Sequence, residues 1–436
     1  MIKQQLVTYF TLLFSITLWA QNKGLTDFKQ KYEPYYKVSN ISMEVLLKNE
    51  DSFSSQRLNF ETDNQNNVFN IGSATKTFTA VLILQEVDRN KLRLSDSIGM
   101  YLSPIQNVSS SLTIEQLLRH QSGLAEVVGN QKWNAYNIPH DSLLRRDVLR
   151  DVHPPSPTKV GKFDYTNTNY ILLGLILEKI NDKNYFELLQ ERIFSPCKMR
   201  HSYPYVSKNI DHLVHPTDEK LEQDQYNGIN YKFFADYTFS AGCIASTLTD
   251  MALFYEALFE SETLISTTSR TKMTDFQDGN YGLGLQKLVL NGTIYYGHGG
   301  NNYGYAFRNY YNPQNGNMML YYINRFRVPM KNAVIEDLQK VLYHQNIPLF
   351  RTGTVREFNA LKGTYILEEI GLKFTIYERE KLLYLTINGL KVPLVSTSPE
   401  VLSDLSSGID FTLNPKHSHQ IIWTQNGKQL IATRQQ

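Results

Sequence analysis

The chain has 436 residues, of which 42% are hydrophobic and 20% charged, and its formal net charge is +2. That length buries a full core and leaves room for more than one domain. The near-neutral balance, without a basic block, zinc-finger spacing or Walker-type glycine loop, excludes nucleic acid as a main partner.

The first twenty residues read as a secretory signal. Lys3 supplies a positive start, Leu6 to Trp19 is apolar, and Ala20-Gln21 offers a small-residue cleavage point. The apolar run is short for a membrane span, so residues 1–20 are expected to leave a chain with no stable membrane anchor, periplasmic or secreted. Two cysteines remain, Cys197 and Cys243. In an oxidising compartment they either form one disulfide or stay as buried thiols; spacing alone does not decide.

Alternating runs at Ile41–Leu47 and Gln56–Phe60 predict strands. Phe78, Val81, Leu82, Leu84 and Val87 recur at helical spacing, which predicts a helix over 73–92. Thr113 opens another helix that Ser122-Gly123 ends. Residues 130–160 are polar and proline-bearing and are expected to form a long loop with a short helix. Helices are predicted over Tyr170–Ile180, Phe186–Ile193 and 247–260. Strands follow at Tyr281–Leu290, Thr293–Tyr296, Tyr303–Tyr311 and Asn317–Asn324, then a helix over 330–344. This order gives residues 21–350 as an α+β domain with an antiparallel sheet. Residues 351–436 form a separate all-β module, a small barrel or sandwich, with hairpin signals at Asn388-Gly389 and Asn426-Gly427.

Three stretches carry chemistry. In Ser73-Ala74-Thr75-Lys76 the serine and lysine lie three apart, so on a helix they share a face. A neutral lysine amine could take the proton of a serine nucleophile, and both a helix N-terminus and burial would lower the lysine pKa. The plain alternative is a helix-capping serine followed by a surface lysine. In Phe163-Asp164-Tyr165-Thr166-Asn167, Tyr165 and Asn167 can point into one cleft from a turn before a helix. Tyr165 could shuttle protons if nearby cations stabilised its phenolate, and Asn167 could hold the lysine and a substrate amide. In Gly297-His298-Gly299-Gly300-Asn301, the glycines on a strand mark close approach of a ligand or another backbone. Such an edge can pair with a substrate and aim an N–H at its carbonyl oxygen.

In this order the three stretches resemble the serine β-lactamase and penicillin-binding-protein superfamily, in its class C-type branch of D,D-peptidases, D-aminopeptidases and esterases. Leu117 to Leu124, Arg192 to Pro196 with Met199, Ser240 to Cys243 and Tyr281 to Gly284 extend the resemblance over residues 25 to 350. It implies a β-lactamase/transpeptidase-like fold, an antiparallel sheet flanked by helices plus a helical subdomain. The C-terminal module is similar to the lipocalin-like β-domains that follow such domains. The resemblance further implies that Ser73 is the acylated nucleophile, and that Lys76 and Tyr165 share acid/base work. It makes Asn167, His298, Gly299, Gly300 and Asn301 substrate-binding, with the oxyanion held by the backbone N–H groups of Ser73 and Asn301. No metal or cofactor is implied.

The resemblance departs at His298, where most β-lactamases carry lysine. A mostly neutral histidine should hold a β-lactam carboxylate less well. The expected activity is therefore cleavage of an amide or ester in a small molecule or peptide, D-amino-acid peptides and small esters among the candidates. A class C-type β-lactamase and a penicillin-recognising sensor without turnover are the alternatives. Asp164 reads as a turn carboxylate, Arg308 as a structural arginine that could instead bind a substrate carboxylate, and the pairs His212/His215 and His417/His419 as surface histidines. The loop at 125–160 and the segment at 205–240 are where specificity would lie.

Overall fold

The computed structural model describes residues 23–49, 52–60, 66–128, 149–150, 152–277, 279–351 and 358–435. The expected signal segment and most of the 130–160 loop lie outside them.

A seven-stranded sheet forms the centre of the larger domain. Its strands are β1 (Met43–Asn49), β2 (Ser52–Leu58), β6 (Gln286–Leu290), β7 (Thr293–Gly297), β8 (Gly300–Asn302), β9 (Tyr305–Tyr311) and β10 (Met318–Ile323). The order is β2-β1-β10-β9-β7-β6, and β8 pairs with β9. Neighbouring strands of this sheet pair antiparallel. Every residue of β10 is buried, because helices cover both faces of the sheet.

One face packs against two helices, residues 23–38 and Lys331–Leu342. Phe28, Tyr32, Tyr36, Val334 and Leu338 meet Met43, Val45 and Tyr321 there. Tyr32 donates to Asp337 Oδ2 over 2.7 Å, and Lys31 Nζ stands 2.7 Å from the same oxygen. Sequence patterning had not assigned the helix over 23–38.

The other face carries the helix Thr75–Asp88, which is buried continuously from Thr75 to Glu86. A helix apolar on all sides belongs in the middle of a core, and here Phe78 stacks on Phe254 at 3.8 Å. The helices Asn167–Asn181 and Leu248–Glu260 complete this layer. A small sheet of β3 (Phe69–Asn70), β5 (Ile244–Ser246) and β4 (Tyr203–Pro204) leads the chain into the Thr75 helix.

The C-terminal strands, from β11 (Gly363–Leu367) to β18 (Lys428–Arg434), close into a barrel. Leu383, Leu385, Phe411, Ile421 and Trp423 fill it. Both expected hairpin turns have positive φ at each central residue: 50° and 78° at Asn388-Gly389, 51° and 75° at Asn426-Gly427. That geometry matches the strands' twist. The barrel docks through Glu222, which reaches Arg379 at 2.5 Å and Lys391 at 3.1 Å on the barrel and Arg325 at 3.9 Å on the larger domain.

Two expectations change. Cys197 and Cys243 are both buried and free, so the disulfide alternative drops out. The strand expected over Tyr281–Leu290 starts only at Gln286. Gly284 turns the chain at φ +70°, and a Cβ on Gly282 would stand 2.2 Å from the Met273 carbonyl oxygen, so Gly282 meets the helix end rather than a neighbouring strand.

Candidate active site

Ser73 lies in a single 3₁₀ turn, Gly72–Ala74, just ahead of the helix Thr75–Asp88 rather than inside it. Asn70 Oδ1 accepts from Gly72 N over 2.8 Å and fixes the turn, which needs Gly72 at φ +54°. One turn on, Lys76 is fully buried. Its Nζ stands 3.0 Å from Ser73 Oγ, 2.7 Å from Asn167 Oδ1 and 2.8 Å from the Ala241 carbonyl oxygen.

Burial pulls Lys76 down to about 7, against the opposing charge of Glu126. A neutral amine has two N–H bonds and one lone pair. The amide oxygen of Asn167 and the Ala241 carbonyl only accept, so they take both N–H bonds. The lone pair is then left for the Ser73 hydroxyl, which is the arrangement a general base requires.

Tyr165 interacts with the Ser73 side chain, and its ring centroid lies 5.0 Å from Lys76 Nζ. Burial raises its pKa, the Ser73 hydrogen bond opposes that, and Glu126 adds to it. The expected cation-stabilised phenolate is corrected: Tyr165 is a neutral phenol that can accept a proton only as it gives one up.

The third stretch is not one continuous strand. His298 and Gly299 form the break between β7 and β8, and the strand resumes at Gly300. A Cβ on Gly300 would lie 1.8 Å from the Ile71 carbonyl oxygen and 2.9 Å from Ser73 N. Asn301 N is 3.0 Å from where a Gly72 Cβ would be. The Ser73 turn and the Gly300–Asn301 backbone are therefore in direct contact.

The Beta-lactamase family profile matches residues 58–342. The chain belongs to this family. It is 24% identical over 406 residues to penicillin-binding protein 4* of Bacillus subtilis (strain 168), covering 85% of this chain and 88% of the relative. It is 27% identical over 191 residues to teichoic acid D-alanine hydrolase of Staphylococcus aureus (strain COL), covering 43% and 44%. Its fold is similar to that of the octameric penicillin-binding protein homologue from Pyrococcus abyssi, with a TM-score of 0.61, 19% identity and coverage of 92% and 98%. It is also similar to D-amino acid amidase from Ochrobactrum anthropi SV3, with a TM-score of 0.59, 20% identity and coverage of 69% and 95%. The protein is a β-lactamase-related serine hydrolase.

Three residues that the sequence reading did not place in the site of this family member stand within it. Glu126 Oε2 accepts from both the backbone N and Nδ2 of Asn167 at 2.9 Å. A carboxylate only accepts, so it fixes the Asn167 amide with its oxygen toward Lys76. Glu126 is exposed as a residue, yet crowding around its carboxylate raises its pKa while the amide donors oppose that.

His120 and Tyr281 belong to a buried chain of hydrogen bonds. His298 Nδ1 lies 2.7 Å from the Gly299 carbonyl oxygen, so that nitrogen carries a proton. Burial holds His298 at about 3, so its Nε2 is bare and accepts from Tyr281 Oη at 2.9 Å. Tyr281 Oη in turn lies 3.2 Å from His120 Nε2, and His120 Nδ1 accepts from Thr166 N at 3.2 Å. Every donor in this neutral chain has one acceptor. It ties the start of the Asn167–Asn181 helix to the third stretch.

The remaining candidates are elsewhere or structural. Asp164 pairs with Lys159 at 2.9 Å, as a turn carboxylate. His215 pairs with Asp224 at 2.6 Å, and the rings of His417 and His419 are 5.8 Å apart. Arg308 donates to the carbonyl oxygens of Gly300 at 3.1 Å and Phe307 at 2.7 Å, beneath the third stretch.

Proposed function

We propose that the protein is an exported hydrolase that cleaves D-aminoacyl amides or esters through an acyl-enzyme on Ser73. The observation that carries this reading is the buried Lys76 amine, held near neutrality with its lone pair toward Ser73 Oγ. As Oγ attacks the substrate carbonyl, Lys76 takes its proton. The N–H groups of Ser73 and Asn301 face the developing oxyanion. The Tyr165 hydroxyl gives its proton to the leaving group and is reprotonated from Lys76. Water then attacks the ester, with the same pair acting in reverse.

Two further points support the choice of substrate. Burial keeps His298 neutral, so the third stretch carries no cation at the position where most β-lactamases carry lysine. Several relatives are named for D-amino acid chemistry, a teichoic acid D-alanine hydrolase, a D-amino acid amidase and a D-stereospecific amidohydrolase, beside others named penicillin-binding proteins. Export rests on the N-terminal pattern of Lys3 and Leu6–Trp19.

Steady-state hydrolysis of D-alanine p-nitroanilide and D-alanine methyl ester, each beside its L-enantiomer, tests the reading. Turnover with D over L preference, lost in Ser73→Ala, is expected. Turnover of benzylpenicillin alone would give the β-lactamase alternative, and a lasting penicilloyl adduct without any turnover would give the sensor.

A further inference from the structure

A cleft of about 670 Å³ lies between the segment that leads into Tyr165 and the start of β6. It adjoins the catalytic centre at two points. Tyr281 lines it, and the Tyr281 ring stands 6.2 Å from that of Tyr165. Gln286 lines it too, and its Oε1 is 3.5 Å from Gly299 N in the third stretch. In the proposed cycle Tyr165 gives its proton to the leaving group. The departing group is therefore on the Tyr165 side of the centre, where this cleft lies.

Its walls combine aromatic rings with amides. Phe163 is 57% exposed, and its ring lies 5.5 Å from that of Tyr281. Gln121, Gln277, Asn280 and Gln286 bring four side-chain amides. Gln121 Nε2 reaches Gln277 Oε1 only at 3.5 Å. Among the described residues the Asn280 side chain and Gln286 Nε2 make no hydrogen bond to protein. The charges are engaged. Arg119 is held by Glu115 at 2.9 Å and Asp275 at 3.4 Å, and Lys287 Nζ lies 5.5 Å from the centre of the Phe276 ring.

Backbone donors along the cleft are spent. Gly161 N donates to the Gln121 carbonyl oxygen at 2.8 Å, Gly279 N to that of Phe276 at 3.0 Å, and Lys287 N to that of Asn280 at 2.8 Å. An extended peptide therefore finds no free strand edge to pair with here. What the cleft offers instead is amides, which both donate and accept, beside aromatic rings. A hydroxyl also donates and accepts, and the C–H face of a sugar is apolar enough to cover an aromatic ring.

We propose that this cleft is the leaving-group subsite of the Ser73 reaction and that it takes a neutral polyhydroxyl group, a sugar or polyol. Phe163 is its platform, and Asn280 and Gln286 are its hydroxyl partners. The substrate is then a D-aminoacyl ester of such a group. Ser73 Oγ bonds to the acyl carbon, the ester C–O bond breaks, and the departing oxygen takes the Tyr165 proton to become a free hydroxyl. The leaving-group role rests on the proposed function; binding of the sugar does not.

The test begins with calorimetric titration of the full-length protein with methyl β-D-glucoside and with methyl β-D-glucuronide, which differs by a carboxylate. Saturable binding of the glucoside is expected, with the glucuronide no tighter. Phe163→Ala or Asn280→Ala should weaken the glucoside at least ~5-fold. Both residues are exposed, so both variants should keep the fold. No saturable binding, a glucuronide at least ~10-fold tighter, or a Kd unchanged in both variants overturns the proposal. In wild type, kcat/KM for the 6-O-D-alanyl ester of methyl β-D-glucoside should exceed that for D-alanine methyl ester at least ~10-fold, and Phe163→Ala should lose that advantage. Equal values for the two esters overturn the leaving-group role. Failure of the wild type to hydrolyse any D-alanyl compound would sink the proposed function and leave the titration interpretable.

Discussion

Gly300 and Ile71 are in such close contact that a single methyl group on Gly300 would stand 1.8 Å from the Ile71 carbonyl oxygen. The nucleophile turn and the third stretch thus lock together through backbone alone. The proposed oxyanion site depends on that contact, because it sets the Ser73 turn against the Gly300–Asn301 backbone.

Gly300→Ala should therefore lower kcat by ~10²-fold or more, since a displacement on the order of 1 Å at the reacting carbonyl is enough. Substrate Kd should change less. A variant with wild-type kcat would show that the two backbones do not form the oxyanion site.

The pH dependence follows from Lys76. Only the neutral amine can take the Ser73 proton, and Lys76 titrates near 7. Rate should fall as pH drops through about 7, where the amine becomes ammonium, and level off above it. His298, held at about 3, adds no inflection between pH 5 and 8. A kcat/KM profile that is flat from pH 5 to 9 contradicts this assignment.

Glu126 acts on Lys76 through charge and on Asn167 through hydrogen bonds. Its negative charge favours the ammonium form of Lys76. Glu126→Gln keeps an acceptor for the Asn167 N–H groups and removes the charge. The acid limb of the kcat/KM profile should move to lower pH, a readout that a purely structural role would not change. An unmoved limb would remove Glu126 from the electrostatics of the site.

Tyr281→Phe breaks the neutral chain in two places. His298 Nε2 loses its donor and His120 Nε2 its acceptor, both in buried surroundings. The cost should be ~1–3 kcal/mol of stability in urea unfolding. With His298 freed, the Gly299–Gly300 backbone is less well held, so kcat should fall with it. A variant as stable as wild type would mean that water replaces the hydroxyl.

Much of this was legible from spacing. Ser73 and Lys76 lie one helical turn apart, and the fold needs them on one face. Asn388-Gly389 and Asn426-Gly427 demand positive φ, so the hairpins could be read before the barrel was seen. What escaped depends on tertiary approach. Glu126 acts by accepting from the backbone and side chain of Asn167, forty-one residues on, and a lone loop glutamate carries no pattern for that. His120 was read only as part of a resembling stretch, because its role rests on partners at Thr166 and Tyr281. The strand expected at Tyr281 failed because alternation cannot show that Gly282 packs against Met273.

The central claim is that Ser73 carries the acyl group. Its most direct measurement is rapid-quench intact mass, with peptide mapping, of full-length protein turning over D-alanine methyl ester. The account predicts a transient gain equal to one D-alanyl group on the Ser73 peptide, absent in Ser73→Ala, which also loses turnover. Hydrolysis that persists in Ser73→Ala, or an acyl group mapped to another residue, would contradict it.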